Sequence, residues 1–154
     1  PVKDKLHPGT RYLHKDKFSR GLGYFSPISH KNAAELPDKE FPLTLTTGHV
    51  LYHFHTITMT GKNEEIKQIV PKNIIEINPF TAKKSQIIQG DIVIVTSRRG
   101  ETSAVAYVTD KIGEDIIFMP FHFADGANML TNTALDETCN IPELKVCAIA
   151  ITKQ

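Results

Sequence analysis

The sequence predicts a mainly β domain, a small closed barrel of about six strands. Three observations predict it. Apolar runs of strand length recur from Phe41 onward, turn-formers separate them, and few residues remain for helix. With 154 residues the chain is one domain's worth.

Residues 1–40 differ in texture from the rest. Pro1–Pro37 holds four of the nine prolines and three of the nine glycines, with charges of both signs (Lys3, Asp4, Lys5, Lys15, Asp16, Lys17). This reads as an irregular lead-in from a preceding domain, with a solvated surface rather than a phosphate-binding patch. Residues 41–154 then form the barrel domain. Leu43-Thr44-Leu45-Thr46-Thr47-Gly48 alternates apolar and polar residues and ends on a turn-former, as a half-buried strand does. Ile74–Ile77 is a second short strand. Asn78-Pro79 places an N-cap before a proline at the first helical position, so Phe80–Ser85 should be a short helix. Gly90-Asp91 turns the chain into Ile92-Val93-Ile94-Val95, whose continuous apolarity predicts burial on both faces. Arg98-Arg99-Gly100 forms a hairpin tip and Ser103–Val108 returns antiparallel. Ile116–Met119 and Val146–Thr152 complete the set, and closure into a barrel removes the exposed edges.

Composition excludes several function classes. Lysine plus arginine number 18 against 17 aspartate plus glutamate, a net charge of +1. Neither a nucleic acid nor an anionic membrane would meet a large uniform field. No apolar run approaches the ~18–20 residues of a bilayer span. Cys139 and Cys147 cannot build a disulfide scaffold or a four-thiolate metal site, and are read as inert. Pro1–Arg20 is charged and unlike a signal peptide. A first residue other than methionine suggests a processed chain or a piece of a longer one.

The densest chemical feature is Thr47-Gly48-His49-Val50-Leu51-Tyr52-His53-Phe54-His55-Thr56, which holds three of the seven histidines. On one straight strand His49, His53 and His55 would share a face and invite a metal. A cupin-like site would want five residues between the glycine and the His-x-His pair, and a carboxylate about four residues on. Here four residues follow Gly48, and Met59 and Thr60 occupy the carboxylate position, so the metal reading fails on both counts. The alternative is a segment that leaves strand geometry after Gly48 and wraps a large polar ligand. Glycine permits close backbone approach, backbone N–H groups suit phosphate oxygens, and His53, His55 and Thr56 suit a heterocycle. Surface histidines on an ordinary strand are the plain rival. Downstream, Met119-Pro120-Phe121-His122-Phe123 could line a pocket mouth or merely pack at a rim. Asn128 and Asn132 would share one side of a helical turn, where amides suit a purine or pterin edge, or else cap turns. Lys145 could meet a phosphate as a point charge. Ser97-Arg98-Arg99-Gly100 fits a charged hairpin turn better than a basic tip for an anionic partner. No G-x-S-x-G elbow, P-loop, G-x-G-x-x-G fingerprint or H-E-x-x-H helix is present.

Together these pieces resemble a known pattern. Thr46–Thr56 with Met59-Thr60 is similar to the cofactor loop in the C-terminal domain of molybdopterin oxidoreductases of the dimethylsulfoxide-reductase superfamily. Glu76-Ile77-Asn78-Pro79, Gly90-Asp91, Ser97–Gly100, Met119–Phe123, Asn128-x-Leu130-Thr131 and Pro142-Glu143-x-Lys145 follow in the family's order. Gly9-Thr10-Arg11-Tyr12-Leu13-His14 resembles the segment entering this domain in formate dehydrogenase catalytic subunits. The alpha subunit of formate dehydrogenase is the nearest variety, with periplasmic nitrate reductase next.

The resemblance implies a six-stranded double-psi β-barrel with short peripheral helices. It also implies binding of molybdopterin guanine dinucleotide, with molybdenum or tungsten held by the cofactor and by residues outside this chain. Carried over by motif, Thr47, Gly48, His49, Val50, Leu51, Tyr52, His53, Phe54, His55 and Thr56 would wrap the cofactor. Phe121 would lie near the cofactor or substrate side, and Asn128 and Lys145 would hold the opposite rim. His49, Leu144 and Glu137 depart from the family's usual arginine, aromatic and proline. No iron–sulfur cysteine motif and no cysteine in a metal-ligand context is present, so the expected site contains no catalytic or metal-ligating residue and the chain alone should not turn over formate. The expected partners are the remaining domains of the catalytic subunit and, indirectly, iron–sulfur electron-transfer subunits. The expected location is cytoplasmic, with a periplasmic one through a signal on a missing N-terminal part as the alternative. Rival readings are a separately encoded subunit of the formylmethanofuran dehydrogenase kind, a nitrate reductase-like domain, and a double-psi barrel used for protein recognition.

Overall fold

The computed structural model describes Lys5, Gly9, Arg11, His14, Asp16, Phe18 and residues 20–154. Much of the expected lead-in, including Thr10, Tyr12 and Leu13 of the Gly9–His14 segment, lies outside the described residues. The chain divides into two compact units, Pro1–Asn32 and Ala33–Gln154. In the first, Phe18 and Gly21 exchange both backbone hydrogen bonds at 2.9 Å, and residues 22–32 run exposed without helix or strand.

The second unit is a closed six-stranded barrel. Its strands are β1 (Leu43–Gly48), β2 (Ile74–Ile77), β3 (Ile92–Thr96), β4 (Glu101–Val108), β5 (Ile116–Pro120) and β6 (Cys147–Lys153). They close in the order β1-β5-β2-β4-β3-β6. β1 pairs with β5 and β2 with β4 in parallel, and the other four pairings are antiparallel. This is the double-psi barrel that the resemblance implied, with only two short helices beside it, α1 (Glu64–Ile69) and α2 (Pro79–Lys84).

Alternation within each strand sends one face inward. Leu45, Ile75, Ile77, Val93, Val95, Ile117, Met119, Cys147 and Ile149 are fully enclosed, and the small Ala104 and Ala106 of β4 leave room for these larger side chains across the barrel. Burial of β3 on both faces is not observed. Val93 and Val95 face the core, Ile94 is half-buried and Ile92 is 41% exposed, because the outside of the barrel is only partly covered. α2 starts as its sequence predicts. Asn78 accepts the Phe80 N–H at 2.9 Å, Pro79 occupies the first turn, and the Asn78 amide also donates to the Ile112 carbonyl at 2.8 Å. α1 was not expected. Asn63 caps it by accepting the Ile66 N–H, with Glu64 and Glu65 in its first turn, and it buries no residue.

The parallel pairing of β1 with β5 positions the site. The register sets Gly48 opposite Pro120, so the segments that follow both strands leave the barrel at the same end.

Candidate functional site

At that end the chain leaves strand geometry after Gly48. A Cβ on Gly48 would lie 2.6 Å from Phe118 Cε2, so this position tolerates glycine because β1 and the Phe118 ring approach closely. Positive φ occurs instead at His55 (43°) and Ile57 (55°). The left-handed region is costly for a β-branched isoleucine, so the surrounding contacts hold this turn in a strained shape.

Those contacts centre on two buried histidines. His53 Nε2 has the Val70 carbonyl at 3.0 Å and therefore donates to it. Its Nδ1 then accepts from the Thr60 hydroxyl at 3.1 Å, and the same hydroxyl accepts the Phe54 N–H at 3.3 Å. Both ring nitrogens of His53 are thus spent on the protein. His122, 1% exposed, accepts the Val50 N–H on Nε2 at 2.9 Å and donates from Nδ1 to the His55 carbonyl. Burial lowers the His122 pKa below its usual 6.5. The bond to the His55 carbonyl opposes the shift, and the neighbouring His49, His53 and His55 reinforce it.

Further bonds join the other predicted residues to this end. Lys145 Nζ donates to the Thr47 carbonyl, and Thr47 Oγ1 donates to the Leu144 carbonyl at 2.8 Å. Phe121 donates its N–H to the Gly48 carbonyl at 3.2 Å and sets its ring edge-on to His49 at 4.5 Å. Asn128 Nδ2 donates to the Phe121 carbonyl at 3.1 Å. Leu51, Tyr52, Phe54, His55 and Thr56 are exposed. The backbone N–H groups of His49, Leu51, Tyr52, His55 and Thr56 find no acceptor among the described residues. Exposed N–H donors beside imidazole, phenol and hydroxyl groups match the needs of a pyrophosphate joined to a heterocycle. His49, Val50 and Tyr52 also line a cleft of about 690 Å³ together with Glu76, Tyr107 and Lys111.

Readings that the sequence disfavoured or left open fall away. His49, His53 and His55 do not line one strand face, because the strand ends at Gly48 and His53 turns inward. Asn132 does not share a helical turn with Asn128. The 3-10 turn covers only Ala127–Met129, and the Asn132 amide is used on the Val146 carbonyl and the Ala134 N–H. Arg98 and Arg99 are no free basic tip. Arg98 pairs with Glu35 and Asp38, while Arg99 binds Glu35 at 2.8 Å, the Leu130 carbonyl and Cys147 Sγ. Burial would raise the Glu35 pKa, but its bonds to Arg99 and Arg98 outweigh that and hold it at about 2. Burial, reinforced by Glu35, raises the Cys147 thiol to about 11, with Arg99 opposing. Cys139 is exposed, and both thiols are free. Sequence reasoning placed Phe121 in the site and passed over its neighbour His122. The aromatic–His–aromatic run was the available signal.

Residues 43–148 match the family described as "Molydopterin dinucleotide binding domain". Across 99% of its length the chain is 49% identical to the F420-dependent formate dehydrogenase subunit alpha of Methanocaldococcus jannaschii. It is 35% identical over 99% of its length to the periplasmic nitrate reductase of Desulfovibrio desulfuricans. In both cases it spans 23% of the relative's length. The fold is also that of a region of acetylene hydratase from Pelobacter acetylenicus, with a TM-score of 0.66 at 16% identity, over 74% of this chain and 18% of that one. A match over most of the chain, on a closed barrel whose loop offers unpartnered donors at one end, means that the chain belongs to the molybdopterin dinucleotide binding domain family.

Proposed function

We propose that this barrel binds molybdopterin guanine dinucleotide as the C-terminal domain of a formate dehydrogenase-type catalytic subunit. On this reading residues 1–40 lead in from a preceding domain and 41–154 form the binding barrel. The observation that carries it is the 47–56 segment, whose exposed N–H groups are held in place from the segment after β5 and from the segment before β6. His49, Leu51, Tyr52, His55 and Thr56 would offer donors to the pyrophosphate and pterin. Val50, Gly48 and Phe54 would shape the backbone, and the buried Thr47 and His53 would fix its two flanks. Phe121 would stiffen His49 from the side. Asn128 and Lys145 would close the rim beside Phe121 and Thr47, each with donor capacity beyond its one protein bond. Bound there, the cofactor supplies the dithiolene sulfurs that hold molybdenum or tungsten and carry the redox chemistry.

The chain spans 23% of these relatives, which are thus about four times as long, and this supports turnover by a larger polypeptide and not by the barrel alone. Its partners would be the other domains of that subunit and, through them, iron–sulfur electron carriers. Its proposed location is the cytoplasm, with the periplasm as the alternative; among the described residues no helix is long and apolar enough to cross a membrane.

The test is Asn128→Ala and Lys145→Ala in the intact catalytic subunit, with pterin and guanine nucleotide released and counted per polypeptide. Loss of a charged or site-facing hydrogen bond should weaken binding about tenfold to a hundredfold. Occupancy at limiting cofactor should therefore fall in both variants. Because each side chain also holds a backbone carbonyl, thermal unfolding should show a loss of about 0.5–1.5 kcal/mol. Full occupancy in both would refute the assignment of this rim.

A further inference from the structure

We propose that His122 is the positioning residue of the binding loop: its neutral ring clamps Val50 to His55 and fixes the direction of the free N–H groups between and beside them. This rests on the reading of that loop as the dinucleotide site.

The geometry is unusually determinate for a histidine. A carbonyl can only accept, so Nδ1 carries the proton toward His55; a backbone N–H can only donate, so Nε2 is bare toward Val50. The ring is buried between rings of the loop and of its own segment, with His49 at 5.4 Å, His53 at 5.8 Å and Phe121 at 5.1 Å. It therefore cannot swing to a second arrangement without breaking both bonds. The clamp spans the turn that ends in the left-handed His55, and holds that residue's carbonyl where a relaxed backbone would not.

The clamp also depends on charge. A second proton would sit on Nε2, facing the Val50 N–H, and two donors repel. The titratable groups facing the ring are His49, His53 and His55, and their coulombic influence disfavours a second proton on His122. No ion pair joins His122 to a carboxylate among the described residues. Its folded pKa lies below 6.5, so the unfolded chain binds the proton more readily. The clamp's contribution is complete above pH 6.5 and is lost as pH falls through the lowered value.

Three forms of the 154-residue chain, wild type, His122→Phe and His122→Gln, would be compared by amide hydrogen exchange and by ¹⁵N spectra of the imidazoles. In the wild type at pH 7.5, His122 should show a protonated Nδ1 and a bare Nε2, and Val50 should exchange about tenfold more slowly than Leu51 or Tyr52. His122→Phe keeps a ring of similar size without the nitrogens, and should erase that difference. His122→Gln offers a carbonyl acceptor and should restore part of it. Should neither variant fold, the wild type alone decides. On acidification, Val50 protection should fall in step with the His122 titration while Leu45 in β1 keeps its own. Protection at Val50 that is absent at pH 7.5, or that persists through the titration, overturns the proposal.

In the intact catalytic subunit, bound cofactor should drop about tenfold in His122→Phe at limiting supply and partly recover in His122→Gln. Full occupancy in His122→Phe with Val50 released overturns the proposal and leaves the dinucleotide reading standing. Full occupancy in His122→Phe, Asn128→Ala and Lys145→Ala alike overturns both.

Discussion

Gly48 is where β1 stops being a wall of the barrel and becomes the base of an exposed loop. No positive φ demands glycine there; the Phe118 ring does, because any Cβ would overlap it. Gly48→Ala must push that ring outward into the cleft beside it, and overpacking of this kind costs about 1–3 kcal/mol. Chemical denaturation of the chain should show that loss, and the amides of the following loop should exchange faster than those of β5. A variant as stable as the wild type, with an unchanged loop, would mean that Phe118 moves freely. Thr60 illustrates the same economy at the other end of the loop, where one hydroxyl serves both the Phe54 N–H and the ring of His53.

Among the elements, the hairpin between β3 and β4 is fastened by charge rather than by apolar burial. Ser97 and Gly100 close its turn, and Arg98 and Arg99 converge on Glu35, whose side chain is only 12% exposed. Glu35→Gln should cost about 1–3 kcal/mol, since two guanidinium groups lose the negative charge they share and one of its two acceptor oxygens. The wild type should lose the same increment as pH falls from 4.5 toward about 2, because the folded state holds this carboxylate ionised below its ordinary range. Acid titrations of both proteins should therefore converge over that window, and parallel curves would argue against the pairing. Local order was legible in the sequence. Leu43–Gly48 alternates, and Asn78-Pro79 announces α2, because both signals lie within a few residues. α1 was not legible, since it buries nothing and so has no apolar stripe to read. The 47–56 segment could be singled out by its own composition. The partner that fixes it could not, because His122 is 72 residues away and reaches Val50 only after β1 and β5 have paired. The long apolar run of β3 suggested two-sided burial, but composition alone does not say how well the outside of a barrel is covered.

The molecule as a whole carries two units of different character. Phe25 and Ile28 in the first are 95% and 93% exposed, whereas Leu45 and Ile117 in the second have no exposure at all. Leu45→Ala or Ile117→Ala should cost about 2–5 kcal/mol, and amides of all six strands should lose protection together. Phe25→Ala or Ile28→Ala should stay within about 0.5 kcal/mol by the same measurement. Strands responding singly to the core changes would mean that the barrel is not one cooperative unit. The order in which its strands meet has one more consequence. β1 emerges first from a ribosome, yet Thr44 must pair with Ala148, about 100 residues later, before the ring can close. At roughly 5–20 residues per second, that interval lasts on the order of 5–20 s, during which β1 has an unsatisfied edge. The loop that follows β1 is therefore made early and shaped late, so a nascent barrel can present that loop in its final form only after its last strand has arrived.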